Sequence, residues 1–247
     1  MLRYFLEVSY KGTNYSGFQA QKNANSIQEE VEKAFEILQK EKVVLTGSSR
    51  TDAGVHALQN FFHFDFGGTL NPQLVYKINA ILPQDIVVKS IMPVASDAHC
   101  RFDAISREYK YFVYRQKDPF LRDRAYYYPY KIDIDKLQEA AAILLHYQDF
   151  TSFSKRNTQV KTFICQIQES KWIYESGCLV YNIKANRFLR GMVRALTATM
   201  LKVGRGTIDL REFKRIIEAQ DCTQASFAVP AHGLFLVAIE YGIAKKD

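Results

Sequence analysis

The chain reads as an α+β protein of two ferredoxin-like-related βαββαβ lobes, joined through a continuous, mostly antiparallel sheet with helices packed on one side. Three observations predict this. The first hundred residues run through strand and helix patterns in the order β-α-β-β-α-β. From Arg107 the order of elements begins again, with insertions and without a residue-level repeat. Over 247 residues, 47% are hydrophobic and 24% charged, which is globular and leaves room for one large domain or two smaller ones. The expected partition is 1–104 and 105–247.

Leu2, Tyr4, Leu6, Val8 and Tyr10 alternate with Arg3, Phe5, Glu7 and Ser9, the period of a half-buried strand. After a polar loop, Ser26 and Glu29 form a capping box ahead of a helix with Ile27, Val31, Ala34, Phe35 and Leu38 on one face. Val43 to Thr46 and Leu58 to Phe66 are strand-like runs on either side of a short polar turn. Asn71-Pro72 is expected to open a second helix, Asn as cap and Pro at the first helical position, with Pro83 ending it. Ile86 to Ile91 is the next strand, and His99 to Ser106 a crossing segment. Tyr109, Tyr111 and Val113 line one face of a strand, followed by an irregular basic and aromatic stretch from Arg115 to Lys131. Asp133 or Asp135 caps a helix bearing Leu137, Ala140, Ala141 and Leu144. Strands are expected near Lys161 to Gln168 and Leu179 to Ala185, with Ser176-Gly177 as a turn. Arg187 to Val203 is expected as one helix, Asp209 caps another, and Leu234 to Tyr241 closes as an apolar strand.

No apolar run approaches the roughly 18 residues needed to span a bilayer, and the first residues alternate like a strand and carry Glu7, unlike a secretion signal. The expected location is cytoplasmic. Cys100, Cys165, Cys178 and Cys222 are widely spaced with no CxxC pair, so buried reduced thiols are expected. The net charge of +7 suits a polyanionic partner bound through phosphate contacts.

Gly47 to Ala57 reads GSSRTDAGVHA, with Asp52 at its centre between Arg50, Thr51 and His56. Its Ser, Asp and Gly residues are turn formers, so one reading is a hairpin turn with an Asx bond at Asp52. The other is a carboxylate placed beside arginine for chemistry. The eight residues RTDAGVHA resemble the catalytic motif of the TruA-type tRNA pseudouridine synthases. The family usually has Gly before the Arg, where this chain has Ser49. YKGTNYSGFQAQKN resembles the family's first motif, ISREYKYFVY its A-x-R-x-Y-x-Y motif, and KANRFLRGMVR its KANxFxxxMVR motif. The resemblance extends from Tyr10 to Tyr241.

Arg187, Arg190 and Arg194 stand three and four residues apart, so on a helix they share a face. That face is either a solvated basic surface or a phosphate-binding ridge, and Lys184 makes the cluster denser. Tyr109 is either a core aromatic or a ring placed to stack on a base. His56 follows the motif turn and either orients it or makes a structural hydrogen bond, while His63, His99, His146 and His232 show no ligand spacing, so no metal site is expected, and no Gly-rich phosphate loop is present.

The resemblance implies an isomerase that converts uridine to pseudouridine at tRNA positions 38, 39 and 40, in the anticodon arm. It implies an active cleft between lobes, with Asp52 as the essential residue. The final arginine of the KANxFxxxMVR motif, here Arg194, is the one that approaches the catalytic Asp in the family, and Tyr109 aligns with the active-site tyrosine. Arg50 would fill the space the base vacates or steer its flip. Substrate contacts are expected from Tyr109, Arg107, Lys184, Arg187, Phe188 and Arg190. The family works as a homodimer, and the redox-neutral isomerisation needs no cofactor. Two alternatives stay open: a non-catalytic RNA-binding protein on the same scaffold, and a metal-dependent nuclease using Asp52 with Asp65 as the only nearby acid.

Overall fold

A computed structural model describes residues 1–156 and 160–242. They form two compact units: Met1–Ile105 with the segment from Phe235 onward, and Ser106–Leu234. The expected partition of 1–104 and 105–247 differs in where the last strand goes. Its Phe235 and Leu236 pair in parallel with His56 and Ala57, which ties it to the first unit.

The first unit contains β1 (Leu2–Tyr10), α1 (Ile27–Gln39), β2 (Thr46–Gly47), β3 (His56–Phe66), α2 (Leu74–Ile81) and β4 (Ile86–Val94). β1 lies between β4 and β3, antiparallel to both. The other edge of β3 takes β2 at Phe62 and His63, and the final strand Leu234–Tyr241 at its start. Ser26 caps α1 as its sequence predicts: its side chain accepts the Glu29 N–H at 3.2 Å. The buried stripe Ile27, Val31, Ala34 and Phe35 then meets the sheet, where the Phe35 ring stands edge-on to Phe64 at 5.1 Å. Burying one such aromatic stabilises by roughly 1.5–3 kcal/mol. β1 keeps the expected half-buried alternation, and on its second face only Phe5 is buried, packed against Phe61 and Tyr241.

Two boundaries differ from expectation here. The strand before the motif shrinks to Thr46–Gly47. α2 starts at Leu74, and Asn71 instead accepts the Gln73 N–H at 2.8 Å in a turn ahead of it. The same short side chain that caps a helix also closes an Asx turn, so the local pattern does not separate the two.

The second unit contains β5 (Ala104–Tyr114), β6 (Tyr126–Tyr127), α3 (Ile134–Ile143), β7 (Ile167–Glu175), β8 (Cys178–Ala185), α4 (Met192–Gly204) and α5 (Leu210–Glu218). β8 pairs antiparallel with β5 and with β7, while β6 adds in parallel at Val113 and Tyr114. The β7–β8 connection is Ser176-Gly177 at φ 51° and 76°, the doubly left-handed backbone that a two-residue hairpin favours. β7 begins six residues later than the expected Lys161 start, leaving only a bridge between Asp149 and Ile164 in that region. Asp133 and Asp209 cap α3 and α5 by accepting the N–H three residues on.

α4 corrects the largest misreading. It begins at Met192, five residues after the expected Arg187. Gly191 sits at φ 74°, a left-handed backbone that interrupts a helix. The helix is buried almost all round, and its Thr197 and Thr199 hydroxyls donate to Val193 and Ala195 carbonyls within it. Cys100, Cys165 and Cys178 are buried free thiols, and Cys222 is half-buried.

Candidate active site

Asp52 belongs to the first unit, on the loop between β2 and β3. The loop leaves the sheet at Ser48, whose N–H donates to the Phe61 carbonyl at 2.8 Å and whose hydroxyl donates to the Cys100 carbonyl at 2.6 Å. Asn60, fully buried on β3, clamps the next residue. Its Oδ1 accepts the Ser49 N–H at 3.3 Å and its Nδ2 donates to the Ser49 carbonyl at 2.8 Å. The same Nδ2 reaches the Tyr10 hydroxyl at 3.2 Å, and that hydroxyl shares a 2.7 Å hydrogen bond with Thr51 Oγ1. The Thr51 carbonyl accepts the Phe18 N–H at 3.1 Å. The loop then turns through backbone: Val55 N–H donates to the Asp52 carbonyl at 3.2 Å, with Gly54 at φ 77° in the third position of the turn.

The result is a carboxylate on a fixed base. Thr51 is buried and pinned by side chain and carbonyl, Asp52 is half-buried at the apex, and Arg50 is exposed beside it. Ser49, standing where Gly is usual, lies outside the left-handed region and carries no backbone strain. His56 does not sit on the turn. Its Nδ1 accepts the Gly12 N–H at 3.0 Å, joining the first motif to β3. Asp65 is held by Arg3, whose Nε and Nη2 meet its two carboxylate oxygens at 2.7 Å, and this pair lowers the Asp65 pKa. Asp65 is therefore engaged by Arg3 and would have to leave that pair to act as the second acid of a metal site.

The other candidates belong to the second unit. Tyr109 lies half-buried on β5, with its ring edge-on to Phe188 at 5.1 Å. Arg107, two residues earlier, donates through Nη1 to the Asn186 carbonyl at 2.8 Å. Arg194 lies on the first turn of α4. Its Nε and Nη2 both donate to the Val229 carbonyl, at 3.1 and 2.7 Å, which fixes the guanidinium plane. Tyr111, two residues beyond Tyr109 on the same strand face, donates to the Pro230 carbonyl at 2.8 Å, and its burial raises its pKa. The Val229–Pro230 segment is thus held from both β5 and α4.

The shared helical face proposed for Arg187, Arg190 and Arg194 does not exist. Arg187 and Phe188 lie in the connection before Gly191, Arg190 is exposed in the turn, and only Arg194 is helical. Lys184 is the next-to-last residue of β8, half-buried. The structure thereby groups Tyr109 with Phe188, and Arg107 with the Asn186 backbone. The supports missed by the sequence reading are Asn60, Tyr10 and the Val229 carbonyl. Asn60 had a signal: it shares β3's inward period with Phe62 and Phe64, and a polar side chain there must find partners.

A tRNA pseudouridine synthase family model matches residues 7–103 and 140–242. The chain belongs to the tRNA pseudouridine synthase family. Curated relatives carry the same chemistry in their names. The tRNA pseudouridine synthase A of Parabacteroides distasonis is 45% identical over 98% of this chain and 96% of its own length. That of Porphyromonas gingivalis is 44% identical over 98% of each. That of Staphylococcus aureus is 34% identical over 96% of this chain and 91% of its own. Residues 104–139, which include Tyr109, fall between the two matched stretches.

Proposed function

We propose that this chain isomerises uridine to pseudouridine in the anticodon arm of tRNA, at positions 38, 39 and 40. The observation that carries the proposal is the RTDAGVHA loop: a half-buried Asp52 on a turn whose neighbours are fixed by Asn60, Tyr10 and Phe18. The reaction breaks the bond between uracil N1 and ribose C1′, turns the base, and forms a bond from C5 to C1′. The C5 proton leaves to solvent and N1 gains one. No atom is lost and no electron is exchanged, so the chemistry needs no cofactor.

Asp52 is the catalytic carboxylate, as nucleophile or as the base that takes the C5 proton. An arginine beside such a carboxylate balances its charge and fixes its direction, and Arg194 is the candidate for that part. The Val229 carbonyl, which takes two of its N–H groups, presets its plane. A base must leave the stack to react. Tyr109, with Phe188 against its edge, is the candidate platform for the flipped base, and Arg50 the residue that steers the flip. Arg107, Lys184, Arg187 and Arg190 supply cations for the phosphates. A homodimer working in the cytoplasm completes the proposal. Among the described residues no helix is long and apolar enough to cross a membrane, and no group of three His, Cys, Asp or Glu is arranged to hold a metal ion.

The test uses tRNA transcripts tritiated at uracil C5, with single uridines at positions 38, 39 or 40. Release of tritium to water from these substrates, and not from transcripts labelled only outside the anticodon arm, is the expected result. Release that ignores position sinks the site assignment, and no release from any transcript sinks the reaction.

A further inference from the structure

The basic and aromatic strap from Arg115 to Lys131 has no part in the chemistry above. It lies wholly within the second unit, in the stretch between the two family-matched segments. Its Tyr126–Tyr127 pair forms β6 on the far end of β5, and the rings of Tyr114 and Tyr127 stand 5.3 Å apart. Tyr109 is five residues from Tyr114 on that strand, so the strap begins about 16 Å from the proposed base platform.

Arg205 meets the strap from the end of α4. Its guanidinium lies 3.8 Å from the centre of the Tyr130 ring and 6.0 Å from that of Tyr128, while Tyr128 and Tyr130 pack edge to face at 4.9 Å. Gly206 at φ 72° ends the helix there and directs the chain away. Arg205 is exposed, as is Tyr130 at 47%, and no described carboxylate forms an ion pair with Arg205. A cation at a helix C-terminus is favoured by the helix dipole, but that needs no aromatic stack. The Tyr130 ring beneath the guanidinium and a hydrogen bond to the Tyr128 hydroxyl hold it in place, and its exposed remaining N–H groups can reach a phosphate. The surroundings match: the strap carries five cations against two carboxylates, and Lys202 stands one turn before Arg205.

We propose that Arg205, held on Tyr130, is a second RNA contact that grips the sugar–phosphate backbone of the substrate away from the reacting uridine. The proposal rests on tRNA being the substrate. A second copy of this chain is the poorer occupant, because a two-fold interface would set the same positive patch against itself.

The experiment measures binding of an unmodified tRNA transcript across a salt series, with sedimentation of the same samples. Arg205→Ala is expected to weaken binding about tenfold at low salt and to make the slope of log affinity against log salt shallower by about one. Arg205→Lys restores most of the slope, since the charge remains. Tyr130→Leu, which frees the guanidinium without removing it, weakens binding about threefold and leaves the slope. Arg211→Ala, at an exposed arginine beside Asp209, changes neither. kcat at saturating tRNA is unchanged in the Arg205 variants. An unaltered slope in Arg205→Ala, or a changed oligomeric state, overturns the proposal. Wild-type protein that binds tRNA but releases no tritium defeats the proposed reaction instead, and leaves this binding comparison to be read separately.

Discussion

Thr51 is held at both ends, by the Tyr10 hydroxyl and by the Phe18 N–H, so the next residue inherits a fixed position. Removing one tether separates positioning from folding. Tyr10→Phe leaves the ring in place and costs about 1 kcal/mol of stability. Its kcat is expected to fall about tenfold with KM nearly unchanged, since a 1 Å error in a reacting group costs rate more than binding. Steady-state kinetics beside a denaturant melt would show this, and a variant that loses stability but keeps kcat contradicts it. His63 makes a second prediction at this scale. Its Nδ1 accepts the Cys100 N–H at 3.4 Å while the Cys100 thiol donates to the Thr46 carbonyl. Burial, then His99 and Arg3, push its pKa down to about 4, with Asp65 and Asp103 pulling weakly the other way. The folded state therefore disfavours the protonated ring. The stability is complete above about pH 6.5 and is lost as pH falls toward 4, on the order of 3 kcal/mol in all. Unfolding at pH 7 and 4.5 should show a smaller drop for His63→Phe than for wild type; equal drops would reject the assignment. The motif around Asp52 was readable at this scale because eight consecutive residues carry it. The inward place of Asn60 was readable from the period of β3, but its partners were not, because Ser49 and Tyr10 lie eleven and fifty residues away.

At the scale of elements, what was legible is what is local. Ser26, Asp133 and Asp209 each cap the helix that follows them, because a cap needs only the N–H three residues on. The false helix from Arg187 shows the converse. Phe188, Met192 and Leu196 keep helical spacing, but spacing does not report φ, and Gly191 in the middle of the run was the residue to weigh. The β7 start was misplaced because strand alternation continues through loop residues such as Phe163 and Cys165. Close approach is equally invisible in a pattern. A Cβ on Gly12 would lie 2.0 Å from the Val55 carbonyl oxygen, so Gly12→Ala must displace either the first motif or the end of the Asp52 loop. The expected cost is at least about 2 kcal/mol, together with a loss of activity beyond the loss of folded protein. Wild-type stability in that variant would show that the two segments do not press on each other.

Taken whole, the chain is a basic protein whose charge is spread over many cations, so RNA affinity should be strongly salt-dependent. Arg190, exposed in the turn before Gly191, is one proposed contributor. Arg190→Ala is expected to weaken tRNA binding and flatten its salt slope by about one unit; a slope equal to wild type returns Arg190 to solvent. The order of the longer strands and helices was legible because each carries its own period, whereas β6, two residues inside the stretch expected to be irregular, was not. The grouping of residues from Phe235 with the first unit was not, since a pairing with His56 and Ala57, far away in sequence, ties them to it. Under the proposed function, chemistry separates from binding at one atom group, the Asp52 carboxylate. Asp52→Asn keeps size and turn propensity while removing the charge. The decisive measurement is tritium release from C5-labelled tRNA by Asp52→Asn, with affinity measured on the same preparation. The account predicts no detectable release and an affinity within a few-fold of wild type. Release at the wild-type rate would contradict it.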